Sequence, residues 1–206
     1  MVRIKICGIR RMEDVLYLNE LKPDYAGFVF AKSRRHVSTY EAEKLAEKLD
    51  RSIKKVGVFV NEGYSEVIET AETVGLDILQ FHGSENFEYL SKFKGYEIWK
   101  AADMNNMDKN FCSNDCKSCP IDCILADSSA NGRFGGTGKS FDLKLAENLF
   151  CKKRFILAGG INADNVEDKV MKIWPFAVDV SSSVETDGFK DYEKMKKIIM
   201  KVRKMN

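Results

Sequence analysis

The 206-residue sequence has no long apolar run, no excess of charge of one sign and no leader-like N-terminus. Its apolar stretches stay far short of the roughly 18 residues that cross a bilayer, so we expect no membrane partner. Lys and Arg number 33 against 31 Asp and Glu, and this balance argues against a nucleic-acid partner. No long apolar segment follows the basic N-terminal residues, so we expect a cytoplasmic protein without a signal peptide.

The sequence also has no linker rich in Pro, Gly or Ser and no break in composition. At about 150 residues per domain, the length alone would fit one large domain or two small ones. Without a linker, we predict a single domain over residues 1–206. Hydrophobic residues make up 44% of the chain, enough for a substantial core, and we expect an enzyme or a small-molecule binder.

Short apolar runs rich in Val, Ile, Phe and Tyr recur along the whole chain. Most are nearly continuous, which is typical of parallel strands covered on both faces. They predict strands at 2–7, 25–30, 54–60, 77–82, 96–101, 123–127, 154–159 and 176–181.

Amphipathic segments alternate with these strands. They predict helices at 11–22, 38–50, 61–75, 84–95, 140–150, 162–173 and 189–205. The second should begin at a Ser/Thr cap, the third should end at Gly75, and the fourth has Ser84 as its candidate cap. The slot at 103–122 is polar and gives the weakest helical pattern.

Strict alternation of strand and helix predicts an α/β fold with parallel strands and right-handed crossovers. Eight βα units of roughly 26 residues each can close into a single (β/α)8 TIM barrel. An open doubly wound sheet is the alternative, but eight uninterrupted units favour closure.

In such a barrel the functional residues lie at the C-terminal ends of the strands and in the loops that follow. The candidates at these positions are Cys7, Arg34, Arg35, His36, His82, Asp127, Gly159, Gly160 and the segment 179–183. Asp127 ends an apolar strand, which favours a catalytic carboxyl group over a turn cap. Cys7 is either a small buried hydrophobe or a reactive thiol.

The segments after strands 7 and 8 predict a phosphate site. Glycine allows a backbone to approach an anion, and serine adds hydroxyl donors, so Gly159 and Gly160 together with the serine run 181–183 fit this role. The glycine-rich stretch 131–140 is not a P-loop, because Arg133 stands where that motif requires glycine. A mobile cover over the site, at 131–138, fits that stretch better.

Cysteine occurs six times, and four of the six form a C-x3-C-x2-C-x3-C cluster over 112–123. A disulfide scaffold is improbable in a chain of this length without an export signal. The cluster fits packed or free thiols, a structural metal site or a disulfide, and its spacing also matches one helical stripe. Because it precedes strand 6, we assign it no catalytic role and predict no catalytic metal.

Several of these segments together resemble one enzyme family. KICGI (5–9), QFHGSE (80–85), the Asp127 strand end, FGGTGKSFD (134–142), LAGGIN (157–162) and DVSSSVE (179–185) resemble phosphoribosylanthranilate isomerase of tryptophan biosynthesis. The resemblance implies a (β/α)8 barrel, monomeric or homodimeric. It also implies an Amadori rearrangement of N-(5-phosphoribosyl)anthranilate to 1-(2-carboxyphenylamino)-1-deoxyribulose 5-phosphate, without metal or organic cofactor.

The resemblance also implies roles for individual residues. Cys7 would be the general base, Asp127 the general acid and Arg35 the partner of the anthranilate carboxylate. The expected substrate-binding residues are Arg35, His82, Gly136, Gly159, Gly160, Asp179, Ser181 and Ser182, with the glycine and serine segments holding the phosphate.

Two features depart from a simple match. Ser183 stands where the family usually has glycine, which would strain a position that needs a positive φ or would tighten the phosphate pocket. A thiol with an ordinary pKa is mostly protonated at neutral pH, so Cys7 needs a group nearby that stabilises its thiolate. The alternatives are another phosphosugar barrel enzyme, such as a pentose-phosphate epimerase or the histidine-pathway isomerase, and a non-catalytic metal or redox module built on the cysteine cluster.

Overall fold

The computed structural model describes residues 1–102, 119–127 and 154–205. In that part of the chain, parallel strands pair in chain order and close into a barrel when the last pairs with the first. The strands are β1 Arg3–Cys7, β2 Tyr25–Val29, β3 Lys54–Phe59, β4 Ile78–Phe81, β5 Glu97–Ala102, β6 Cys123–Asp127, β7 Arg154–Ala158 and β8 Ala177–Val180. Each lies within two residues of its predicted bounds at either end. The (β/α)8 barrel is confirmed, and the open sheet is wrong.

The described helices lie between these strands and after the last one. They are α1 Met12–Leu21, α2 Thr39–Lys48, α3 Tyr64–Val74, α4 Phe87–Leu90, α5 Val166–Ile173 and α6 Tyr192–Lys204. The predicted helix 140–150 and most of the weak slot 103–122 lie outside the described residues. None of the described helices is long and apolar enough to cross a membrane.

Two predicted helix ends follow the expected chemistry. Ser38 caps α2 through a reciprocal pair of hydrogen bonds: its hydroxyl accepts from the Glu41 N–H at 3.3 Å, and the Glu41 carboxylate accepts from the Ser38 N–H at 2.9 Å. Gly75 ends α3 in the left-handed conformation, with φ of +65°. Both predictions are confirmed.

The predicted cap Ser84 is wrong, and α4 is much shorter than the predicted 84–95. Asn86 caps α4 instead, accepting from the Tyr89 N–H at 2.9 Å. The N–H of Ser84 donates to Asn61 Oδ1 at 2.7 Å, so Ser84 belongs to the loop that follows β4.

The predicted helix 189–205 begins too early. Its first residues pair instead in a two-stranded hairpin, β9 Glu185–Thr186 with β10 Phe189–Lys190. Asp187 and Gly188 form the turn with φ values of +51° and +81°, and α6 starts only at Tyr192. The helices predicted at 61–75 and 162–173 also start later, at Tyr64 and Val166.

The barrel interior has an apolar lower part and a polar upper part. Near the N-terminal ends of the strands, Tyr25 and Trp99 pack edge to face with ring centroids 5.0 Å apart. Towards the C-terminal ends, the buried Lys5 and Gln80 replace apolar side chains. A larger apolar cluster outside the barrel, including Ile4 and Ile6, joins the strands to the helices. Polar chemistry is therefore concentrated beneath one mouth of the barrel.

Candidate active site

A cavity of about 410 Å³ opens at the C-terminal mouth of the barrel. Its described lining includes all but two of the residues predicted to form the site. These lining residues are Cys7, Arg35, His82, Gly159, Gly160, Asp179, Ser181 and Ser182. The structure therefore brings together residues from β1, β8 and the loops after β2, β4, β7 and β8.

Two predicted site residues are not in that lining. Asp127 ends β6, where its backbone is in register with Ala158, and its side chain lies outside the described part of the structure. Gly136 and the glycine-rich stretch 131–138 lie wholly outside it.

Cys7 is buried at the end of β1, and its carbonyl oxygen accepts from the Ser181 hydroxyl at 3.0 Å. Burial raises the pKa of its thiol, while the nearby ammonium groups of Lys5 and Lys190 lower it. The cationic groups that Cys7 requires are thus present, although burial outweighs their effect on its pKa.

Lys5 is fully buried two residues before Cys7, and its ammonium group donates to Asp179 Oδ2 at 2.9 Å. Burial would lower the pKa of Lys5, but Asp179 and Cys7 outweigh burial and raise it, so Lys5 carries a positive charge. The second carboxylate oxygen of Asp179 is buried and has no hydrogen-bond partner in the described structure. Because Asp179 lines the cavity, that oxygen can accept a hydroxyl of a ligand.

Arg35 is the arginine that lines the cavity, whereas the Arg34 side chain is 65% exposed and reaches Glu185 only at 3.5 Å. The guanidinium of Arg35 donates to Glu185 through Nε at 2.7 Å and through an η nitrogen at 2.9 Å. Lys190 donates to the same carboxylate at 2.9 Å. Glu185 therefore fixes the orientation of the Arg35 guanidinium. The N–H groups of Arg35 that do not bind Glu185 stay available to donate to the carboxylate of a ligand.

The β9–β10 hairpin that carries Glu185 is itself fastened to the start of α1. Arg10 donates to the Gly188 carbonyl at 2.6 Å, and Arg11 donates to the Lys190 carbonyl at 3.2 Å. Both arginines also lie over the Phe189 ring. The hairpin is thereby held beside the mouth of the barrel.

The predicted phosphate segments have backbone geometry suited to an anion. Gly159 and Gly160 have φ values of +80° and +61°, and space is open where a side chain of Gly160 would stand. Residues 182–184 form one turn of 3-10 helix beside them. Ser183 has no positive φ, so the strain considered from sequence does not arise, and its hydroxyl is buried without a partner among the described atoms.

His82 lines the cavity next to Gln80. The Gln80 amide nitrogen lies 3.3 Å from His82 Nδ1. The position of the ring agrees with the predicted substrate-binding role, which stays a prediction.

The two described residues of the cysteine cluster, Cys119 and Cys123, precede or begin β6, at the end of that strand opposite the cavity. Cys119 and Cys123 are free thiols, and Cys123 begins β6, as predicted. Residues 119–122 are not helical, so a single helical stripe is wrong for this part of the cluster. Cys112 and Cys116 lie outside the described residues, and within those residues no group of three or more potential ligands could hold a metal ion.

Sequence reasoning missed Lys5, Glu185 and Lys190. Alternation along β1 places Lys5 on the same face as Cys7, and this signal could have identified it. The partner of Glu185 is 150 residues away in the chain, and no local pattern indicates that pairing.

Known proteins of one enzyme family are similar to this protein over nearly its whole chain. The sequence model of the family described as N-(5'-phosphoribosyl)anthranilate (PRA) isomerase matches residues 4–201. The N-(5'-phosphoribosyl)anthranilate isomerase of Clostridium acetobutylicum is 55% identical over 206 residues, which cover 99% of each chain.

Solved structures agree with this relationship. The phosphoribosyl anthranilate isomerase of Thermotoga maritima superposes with a TM-score of 0.84 at 35% identity, over 99% of this chain and 100% of that one. A structure of phosphoribosyl anthranilate isomerase in complex with reduced 1-(o-carboxyphenylamino)-1-deoxyribulose 5-phosphate has a TM-score of 0.82 at 33% identity, with the same coverage. Sequence and fold thus agree over the full length, and the chain belongs to the N-(5'-phosphoribosyl)anthranilate isomerase family.

Proposed function

We propose that this protein is an isomerase that converts N-(5-phosphoribosyl)anthranilate into 1-(2-carboxyphenylamino)-1-deoxyribulose 5-phosphate in tryptophan biosynthesis. The observation that carries the proposal is the placement of a buried thiol, Cys7, in a cavity that also holds the Arg35 fork and the Gly159–Gly160 backbone. The substrate carries a carboxylate and a phosphate at its two ends, and these groups match the fork and the glycine backbone.

Asp127 is the proposed general acid. It gives a proton to the ring oxygen of the ribose while the C1–O bond breaks, and the bond electrons pass to that oxygen. The anthranilate nitrogen then shares its lone pair with C1 to form an iminium. In the closed barrel β6 lies three strand positions from β1, so the strand ends that carry Asp127 and Cys7 lie on different sides of the mouth, as an acid and a base that act on one sugar require.

Cys7 is the proposed general base. The iminium acidifies the proton on C2, the thiolate removes it, and the released electron pair forms a C1=C2 double bond as the iminium electrons return to nitrogen. The resulting enolamine tautomerises to the ketone: C1 gains a proton and the C2 hydroxyl loses one. As C1 takes up a proton, the Cys7 thiol gives one up, and as the C2 hydroxyl loses its proton, the Asp127 carboxylate regains one, directly or through water, so that acid and base return to their starting states. Because proton transfer alone drives the breaking and making of bonds, the proposal requires no metal or organic cofactor.

The remaining cavity residues hold the substrate in this scheme. Arg35 pairs with the anthranilate carboxylate, while Gly159, Gly160 and Ser182 surround the phosphate with backbone and hydroxyl donors. The unpartnered oxygen of Asp179 accepts a ribose hydroxyl.

Loss of phosphoribosylanthranilate fluorescence, coupled to the next enzyme of the pathway, tests the activity directly. We expect turnover by the wild-type protein. Cys7→Ser and Asp127→Asn should each lower kcat by at least about a hundredfold while changing KM little, as expected for proton-transfer groups. If folded wild-type protein shows no turnover, the proposed activity is wrong. If both variants keep a near-normal kcat, the proposed roles of Cys7 as base and Asp127 as acid are wrong.

Partners and location complete the proposal. A phosphosugar linked to anthranilate is the small-molecule partner, and we expect a cytoplasmic protein without a nucleic-acid partner. We keep the prediction of a monomer or a homodimer, and sedimentation equilibrium distinguishes the two; a larger assembly would show the prediction to be wrong.

A further inference from the structure

Lys5 is a buried cation that the proposed proton transfers leave unused. It has no solvent exposure, and its backbone is in register with Asp179 across the junction of β1 and β8. Burying an ammonium group is costly unless it is paired, and the 2.9 Å contact with Asp179 provides the pair. Because the desolvation of this ammonium group opposes folding, its position beneath the cavity requires a functional explanation.

The end of the Lys5 side chain and the Cys7 sulfur share one small space. A side chain carbon added at Gly27 on the neighbouring strand would lie 2.9 Å from the sulfur and 3.0 Å from Lys5 Cε. The absence of a side chain at Gly27 therefore allows the two groups to come together. Burial raises the pKa of Cys7, and the positive charge of Lys5 lowers it.

Four charged groups act on Cys7 from the elements around it. Lys5 lies on its own strand, Asp179 on β8, Lys190 on β10 and Arg35 after β2. Lys190 and Arg35 both donate to the same Glu185 carboxylate, which offsets their charge. Among these cations, Lys5 is the one whose side chain shares the space beside Gly27 with the Cys7 sulfur, and its charge lowers the pKa of Cys7 more than that of Lys190 does.

We propose that Lys5 is a positioning residue for the base: its ammonium group, held by Asp179, lies against the Cys7 sulfur and stabilises it as an oriented thiolate. This inference rests on the proposed function, in which that thiolate takes the C2 proton and becomes a thiol. Lys5 keeps its own protons throughout and does not touch the reacting atoms.

The first test measures the ionisation of Cys7 without substrate. The rate of Cys7 alkylation by iodoacetamide is followed from pH 6 to 10 by mass spectrometry of the Cys7 peptide, with Cys7→Ser identifying its signal among the six cysteines. In Lys5→Met the midpoint of the rate should rise by about one to three pH units, since an opposite charge at contact distance shifts a pKa by that much.

Two further variants make the test specific. Asp179→Asn removes a negative charge that raises the pKa of Cys7, so its midpoint should fall, opposite to the change in Lys5→Met. Lys100→Met is the matched control, because Lys100 is also buried and ion-paired, with Glu85 at 3.1 Å, and its ammonium group contacts the loop after β4. Its midpoint should stay at the wild-type value.

Turnover provides a second readout. The ascending limb of the pH profile of kcat/KM reports deprotonation of the base, so in Lys5→Met this limb should move to higher pH together with the alkylation midpoint. KM should change little, and Lys5→Arg should restore part of the shift.

An unchanged alkylation midpoint in folded Lys5→Met would overturn the inference, whatever the turnover of that variant. If Lys5→Met does not fold, Lys5→Gln, which keeps a polar group in place of the ammonium, decides by the same criterion. Failure of the proposed function is separate, because it appears as wild-type protein without turnover.

Discussion

Neutralising Glu185 is expected to lower the free energy of unfolding of the barrel and to weaken substrate binding. The Glu185 side chain is 5% exposed and accepts four charge-assisted hydrogen bonds: at 2.7 and 2.9 Å from Arg35, at 2.9 Å from Lys190 and, longest, at 3.5 Å from the exposed Arg34. Glu185→Gln keeps the shape of the side chain, but it leaves the buried Lys190 ammonium without the Glu185 counter-charge. Its amide N–H2 group would also face the N–H groups of Arg35 and Lys190, which are donors too. Breaking a buried pair in this way costs about 3 kcal/mol or more.

That cost translates into a measurable melting temperature. For a domain of about 200 residues, 1 kcal/mol shifts Tm by about 2–4 °C, so Tm should fall by about 6–12 °C, followed by circular dichroism. Asp164→Asn removes the same charge from an exposed pair with Lys197, where Asp164 is 85% exposed. An exposed pair contributes about 0–1 kcal/mol, so this control should shift Tm by about 4 °C at most.

The kinetic consequence follows from Arg35. Without Glu185 the guanidinium loses its fixed orientation, so KM for phosphoribosylanthranilate should rise severalfold while kcat falls less. A Tm within about 2 °C of wild type would refute the energetic reasoning. A lowered Tm with unchanged KM would refute the link between Glu185 and substrate binding.

Three further predictions concern stability and geometry. Gly27→Ala places a carbon 2.9 Å from the Cys7 sulfur, so urea unfolding should show a loss of about 1–3 kcal/mol together with a lower kcat; unchanged kcat would mean that the sulfur tolerates displacement. Ser38→Ala should lose about 1 kcal/mol with the α2 cap and leave kcat/KM unchanged; altered kinetics would contradict a purely structural role. Burial raises the pKa of Glu185, but the hydrogen bonds from Arg35 and Lys190 outweigh it and lower the pKa from 4.5 to about 2. The advantage of wild type over Glu185→Gln in free energy of unfolding should therefore be full above pH 4.5 and shrink as pH falls towards 2; a difference independent of pH over that range would refute the assignment.

The strands were predictable because their sequence signal is local and strong. In a barrel covered by helices both faces of each strand are buried, so β1 to β8 appear as nearly continuous apolar runs. The position of site residues such as Cys7 and Asp179 followed from the rule that strand C-terminal ends form the mouth.

The failures come from competing local signals. Residues 189–205 have helical periodicity, and this hid the hairpin that uses Phe189 and Lys190. The Asp187–Gly188 pair, with both φ values positive, is the usual two-residue hairpin turn, and that signal was present in the sequence. At α4 the sequence indicated Ser84 as the cap, but the hydrogen bond from its N–H to Asn61, 23 residues earlier in the chain, places Ser84 in the loop instead.

The remaining site features depend on contacts between distant segments. Lys5 could be placed on the face of Cys7 by alternation, but its ion pair with Asp179 joins residues 174 positions apart. A single sequence contains the residue types for such pairs and not the pairing itself.

The Lys5–Asp179 contact also makes the chemistry dependent on the order of folding. It spans the junction where the last strand meets the first, and pairing so distant in the chain carries a large closure entropy and forms slowly. A chain that has formed its first seven strands but not docked β8 lacks the counter-ion of Lys5 and, with Ser181, a hydrogen bond to Cys7. On refolding, turnover should therefore return after far-UV circular dichroism has recovered, and simultaneous recovery would contradict this order. Activity then reports whether the ring of strands is complete.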